Sequence, residues 1–261
     1  MNYSLFFRTD ATILCLVLFA GCVFMVRFGR FVRNKFFQKD QQESKGGVNS
    51  LLGALFGLWG FILAFTFGNS ASRFENVRSM MVDESSMIRN VILRSQIFPD
   101  SIGNGFRGDL KNYLQARIDY YNYSTDINKF NKAKEDAQQI GKNLWTRTQR
   151  ASTLPNMGIT AANMFAALTS MFDIAAKRDA LLSSGIPEVI MYLLFFLALV
   201  ISFIGGFTTP VIGTKEWVVI SGFILLACII IYITLDLSRP MRGFIKPDVG
   251  EDRIEQLQKM F

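Results

Sequence analysis

The stretch VNSLLGALFGLWGFILAFTFGNSASRFENVR, from Val48 to Arg78, constrains this chain more than any other. Leu51 to Phe67 holds no charged residue, and an amphipathic helical pattern follows Gly68 without a break. A helix rises about 1.5 Å per residue, so about 20 apolar residues cross a hydrocarbon layer of about 30 Å. With its polar flanks the segment reaches that length, which predicts a membrane helix that runs on into water. Its small residues are ordered. Gly53, Gly57, Gly60, Ala64 and Gly68 recur every three or four positions and so share one narrow stripe. In lipid such a stripe lets a neighbouring helix approach closely, because packing rather than the hydrophobic effect drives association there. Trp59, Leu63 and Phe67 form a parallel ridge at four-residue spacing. Several copies of this helix around an axis could enclose a narrow apolar constriction. Alternatively, the stripe packs the helix against others of its own chain.

Composition agrees with a mixed architecture. Half of the 261 residues are hydrophobic, too many for an ordinary soluble domain, while 19% are charged, too many for a wholly embedded bundle. The net charge of +7 comes from 28 basic and 21 acidic residues. No basic, aromatic-interleaved surface segment accompanies it, so anchoring of membrane helix ends accounts for the excess and nucleic acid is not an expected partner. The chain has no histidine. That removes the commonest general base, every His-dependent triad and most zinc sites. Cys15, Cys22 and Cys228 lie in apolar runs far apart in sequence and read as small packing residues. Neither a metal nor a cofactor is expected, and the chain does not read as an enzyme.

A first membrane helix is predicted at about 11–26, followed by the basic run Arg27, Arg30, Arg33, Lys35 and Lys39. A secretory signal carries its positive charge before the apolar run, so this is a retained anchor. Gly46 and Gly47 suit a turn before the second membrane helix at about 49–67. Beyond it Phe74, Val77, Met81, Ile88 and Val91 keep helical spacing, with Glu84 where an apolar residue belongs. Glu84 is either an ion-facing site or a carboxylate paired with an arginine of a neighbouring helix. The helix should stop near Phe98, ahead of Pro99. Gly103, Gly105 and Gly108 satisfy G-x-G-x-x-G but lack the strand and βαβ unit that a phosphate site needs. Further helices follow, one opened by Pro155 and running to about Leu182.

Third and fourth membrane helices are predicted at about 187–207 and 217–235, joined by a tight loop containing Pro210 and Gly213. The expectation is an all-α integral membrane protein with four transmembrane helices and an extramembrane helical bundle between the second and third. Its divisions are a membrane hairpin at 1–69, a helical region at 70–184, a second hairpin at 185–237 and a tail at 238–261. Charge does not decide which side the bundle faces. The basic run after the first helix places that loop in the cytoplasm, and Arg239, Arg242 and Lys246 argue for the opposite orientation.

The run ending in Phe67, then Asn69-Ser70-Ala71 and Arg73-Phe74, resembles the second membrane helix of bacterial bestrophins. The pair Asp83-Glu84, the run AAKRDALLSSGIPEV ending at Val189, and LDLSRPMRGFI from Leu235 to Ile245 are similar to the uncharacterised bestrophin-like family. Bestrophins are homopentameric ion channels whose second helices line a narrow apolar neck. The resemblance therefore implies a multi-pass protein of the bacterial inner membrane, with the lipid bilayer, inorganic ions and further copies of itself as partners. It implies Trp59, Leu63 and Phe67 in the neck. Asn69 and Ser70, just past Phe67, would form a polar ring at its mouth. The competing reading is a non-conducting scaffold or sensor whose helical region binds a protein. Secondary transport is disfavoured, because the four apolar segments lack charge at mid-membrane depth.

Overall fold

A computed structural model describes residues 9–36, 45–123, 126–183, 187–209, 213–240, 243–246 and 248–261. Among these residues the secondary structure is helical throughout. The helices are α1 (Ala11–Phe36), α2 (Lys45–Ser95), α3 (Asp100–Asn122), α4 (Ile127–Ser152), α5 (Gly158–Ser183), α6 (Glu188–Thr208), α7 (Thr214–Leu237) and α8 (Asp248–Gln256), with a closing 3-10 turn at Leu257–Met260. Five segments are long and apolar enough to cross a membrane: α1, the 50–95 part of α2, α5 between Gly158 and Leu182, α6 and α7. Four of these were expected. The addition, α5, is the least apolar of the set, and it buries Ala161, Met164, Ala167, Leu168 and Met171 in the core of the second unit.

The chain divides into two compact units. One combines Met1–Ser72 with Gly185–Ser238, the other Arg73–Ser184 with Arg239–Phe261, and α2 contributes to both. In the first unit α1 packs along α6 and α7. Its core joins Leu18, Cys22 and Val26 to Trp59, Leu63, Leu194, Ile201 and Ile231. The closest approach is made by glycine. A Cβ on Gly29 would overlap the Phe203 carbonyl oxygen, and one on Gly206 would overlap that of Val26. Close backbone approach of this kind is what small residues permit between membrane helices. The second unit packs α3 on α4 and α4 on α5. Its core contains Val77, Met81, Ile88, Val91 and Ile92 from α2, so the seam read after Gly68 is a packing seam.

Several local expectations change. α1 continues to Phe36, so Arg27, Arg30, Arg33 and Lys35 lie on the helix itself. Arg33 Nη1 donates to the Thr208 carbonyl at 3.1 Å, and the Arg27 guanidinium lies 4.9 Å from the centre of the Trp217 ring. Gly46 and Gly47 belong to the first turn of α2 rather than to a preceding turn. α2 ends at Ser95, short of Phe98, because three successive N–H groups bond three residues back and tighten the chain into a turn. Gly103, Gly105 and Gly108 lie inside α3, not in a phosphate-binding loop. Gly105 leaves room for Arg147, whose guanidinium a Cβ there would overlap, and Arg147 Nε lies 2.8 Å from Asp109 Oδ2. Pro155 sits in a turn, with Asn156 at a φ of 61°, and α5 starts only at Gly158. Lys39, Pro210 and Arg242 lie outside the described residues.

Candidate functional site

The apolar half of α2 has two faces of different character. Trp59, Leu63, Thr66 and Ser70 are all buried. The Trp59 indole N–H donates to the Leu194 carbonyl of α6 at 3.1 Å, which gives its polar edge a partner. The Thr66 and Ser70 hydroxyls donate to the carbonyls four residues back, at 2.7 and 2.9 Å. The opposite face carries Gly53, Gly57, Ala64, Gly68 and Asn69, all exposed, with Gly60 half-buried at its edge. A Cβ built on Gly53, Gly57, Gly60 or Gly68 meets nothing within 4 Å among the described residues. Phe61, Phe65 and Phe67 stand exposed beside this stripe, Phe67 at 38%.

The residues of the expected ridge and polar ring therefore separate. Trp59 and Leu63 turn onto α6 and the rest of the core, and Phe67 turns outward. Of the mouth pair, Asn69 is exposed and Ser70 is fully buried. Four-residue spacing does not keep side chains strictly in line on a helix of 3.6 residues per turn, which explains the drift between Trp59 and Phe67.

In the second unit the sequence singled out Glu84, and the structure supplies its partners. Glu84 is fully buried between α3 and α5. Arg117 Nε lies 2.7 Å from Glu84 Oε1, an ion-pair distance although the N–H does not point along a hydrogen-bond line. Arg178 Nη1 reaches both Glu84 Oε2 and the Tyr121 hydroxyl, and that hydroxyl donates to Glu84 Oε2 at 2.9 Å. Arg178 Nη2 donates to Asp179 Oδ1 at 2.8 Å, which also accepts from the Tyr120 hydroxyl at 3.0 Å. Both guanidiniums stack on Tyr120, at 4.7 and 4.6 Å from its ring centre. Burial pushes the Glu84 carboxyl upward, while Arg117 and the Tyr121 hydrogen bond pull it down. Tyr121 is raised by burial and by the neighbouring Glu84, so it remains a phenol that can donate. The arrangement is a locking network, since removing one member of a buried pair strands the other charge.

Arg73, part of the Arg73-Phe74 element, also has a partner in this unit. Its Nη2 donates to the Leu181 carbonyl at 2.6 Å, near the end of α5 where carbonyls lack helical partners. Among the described residues, no group of three or more His, Cys, Asp or Glu side chains is placed to hold a metal ion.

The family model of the bestrophin-like domain matches residues 15–246. The chain belongs to the bestrophin-like family. Solved bestrophin structures share the fold. One, a crystal structure of a point variant of a bacterial bestrophin homologue from Klebsiella pneumoniae, superposes with a TM-score of 0.67 at 13% identity, covering 94% of this chain and 99% of that one. Another variant of the Klebsiella pneumoniae homologue gives 0.64 at 12% identity over 96% and 99%. A crystal structure described as a membrane protein variant gives 0.66 at 14% identity over 94% and 98%. A sequence comparison with curated proteins gives no match. At these identities the bestrophin-like chain shares a backbone plan with its relatives, and its site must be read from its own side chains.

Sequence reasoning missed Arg117 and Arg178 as the partners of Glu84, and Gly29 and Gly206 as packing glycines. The arginines carry no local mark, since Arg178 meets Glu84 across a separation of 94 residues. The Gly205-Gly206 pair was a visible signal, because two adjacent glycines inside an apolar helix weaken it unless a neighbour comes close.

Proposed function

We propose that this chain assembles into an oligomeric ion channel of the bacterial inner membrane, with an apolar neck formed by the outward face of α2. The observation that supports this reading is the stripe of Gly53, Gly57, Gly60 and Gly68, where an added Cβ would meet nothing within 4 Å among the described residues. Small residues on a membrane helix gain nothing from facing lipid tails but allow close contact with another helix. In this reading α1, the first part of α2, α6 and α7 cross the bilayer. α5 stays in the extramembrane bundle, because it carries Arg178 and Asp179 within the buried charge network. Phe67 lines the neck and Asn69 stands at its mouth, while Trp59 and Leu63 brace α2 from behind and Ser70 ties its backbone. Resemblance to bestrophins suggests five subunits, and hydrophobic constrictions can gate ion flow by dewetting.

Reconstitution into planar bilayers tests the proposal. The wild-type protein should carry unitary currents, and Phe67→Ala should raise conductance or open probability severalfold by widening the constriction. Absence of current from a protein purified as a monomer would favour the scaffold reading. Currents unchanged by Phe67→Ala would move the neck elsewhere.

A further inference from the structure

Helices α3, α4 and α5 share a cavity of 670 Å³ that plays no part in the channel proposal. That volume falls within the range of small-molecule sites. Its walls join the aromatic rings of Tyr113, Trp145 and Phe172 to the cationic side chains of Arg117, Lys134 and Lys142. Asp179 is the one carboxylate among the described lining residues, and it is already engaged. Its oxygens take Arg178 Nη2 at 2.8 Å, the Tyr120 hydroxyl at 3.0 Å and Lys134 Nζ at 3.3 Å. Arg117 is 3% exposed, and its Nη2 has no hydrogen-bond partner, with Asp179 Oδ1 at 3.9 Å. A buried guanidinium N–H left unmade costs free energy, and a bound acceptor would recover it once the guanidinium turns toward the cavity that Arg117 lines. Lys142 makes no ion pair among the described residues.

We propose that this cavity binds a small organic anion, an apolar or aromatic body bearing one carboxylate. The carboxylate would sit between the Arg117 guanidinium and Lys142, where charge-assisted hydrogen bonds are strongest, with the ring between Trp145 and Phe172. Arg117 also pairs with Glu84 of α2. Occupancy therefore draws on the same guanidinium that holds α2 in the bundle, and ligand binding is linked to the packing of that helix. The inference stands whether or not the chain conducts ions.

Calorimetric titration of the full-length protein in detergent provides the test, with benzoate, phenylacetate and hexanoate as probes and benzamide as the neutral isostere of benzoate. At least one carboxylate should bind saturably and raise the melting temperature, as any ligand selective for the folded state does. Benzamide should not bind. Lys142→Glu, at an exposed position, should keep the helical circular dichroism and weaken the bound carboxylate by about tenfold or more, and Lys142→Arg should retain binding. Failure of all three carboxylates to bind would overturn the proposal. So would equal binding of benzamide and benzoate, or full binding by Lys142→Glu.

Discussion

At the scale of single residues, the buried charges of the helical bundle dominate. Glu84 and Arg178 are both fully buried, and Arg117 nearly so. Glu84→Gln leaves two guanidiniums facing a neutral amide, so it should destabilise the protein by about 3 kcal/mol, read by chemical denaturation followed by circular dichroism. Arg178→Met should cost a similar amount. The double variant should cost clearly less than the two singles added, because residues in direct contact are not independent. Additivity would mean that the two side chains do not meet. Glu84 was legible as an anomaly, an acid in an apolar seam, but the sequence left an ion-facing role open beside a paired one. Its partners were not legible, since they arrive from helices whose docking no local pattern encodes. A milder outcome belongs to Gly105. Gly105→Ala displaces only the flexible end of Arg147 and improves helix propensity, so stability should change by no more than about 1 kcal/mol in the same assay.

At the scale of elements, glycines with similar sequence surroundings separate by what lies above them. Gly206→Ala would drive a methyl group into the Val26 carbonyl oxygen, and neither helix backbone can yield cheaply. It should destabilise the protein by about 3 kcal/mol, visible as a lowered melting temperature in detergent. Gly57→Ala has open space around it and should leave that melting temperature of the isolated chain nearly unchanged. That long apolar helices stand at α1, α2, α6 and α7 was legible, because hydropathy marks a run without charge. Their limits were less so. α1 carries its basic residues on through Phe36, and α5 waits until Gly158 instead of opening at Pro155. α5 is long and apolar enough to cross a membrane and was not expected to be. Its Ala161, Met164, Leu168 and Met171 are buried in the bundle, and about two helix turns beyond them Arg178 joins the ion-pair network.

At the scale of the whole molecule, the period of the small-residue stripe was visible in the sequence, and its direction was not. Periodicity reports that residues share a face, and only tertiary structure reports what that face meets. Here Trp59 and Leu63 turn inward, at 6% and 5% exposure, and the glycines turn out. The account makes that outward face the contact between subunits. Native mass spectrometry of the detergent-solubilised protein, wild type beside Gly57→Leu, tests this most directly. The account predicts a closed oligomer for the wild type and, for Gly57→Leu, a folded chain shifted to monomers and partial assemblies. A wild-type protein that is monomeric under these conditions, or a Gly57→Leu variant that assembles as the wild type does, would contradict it.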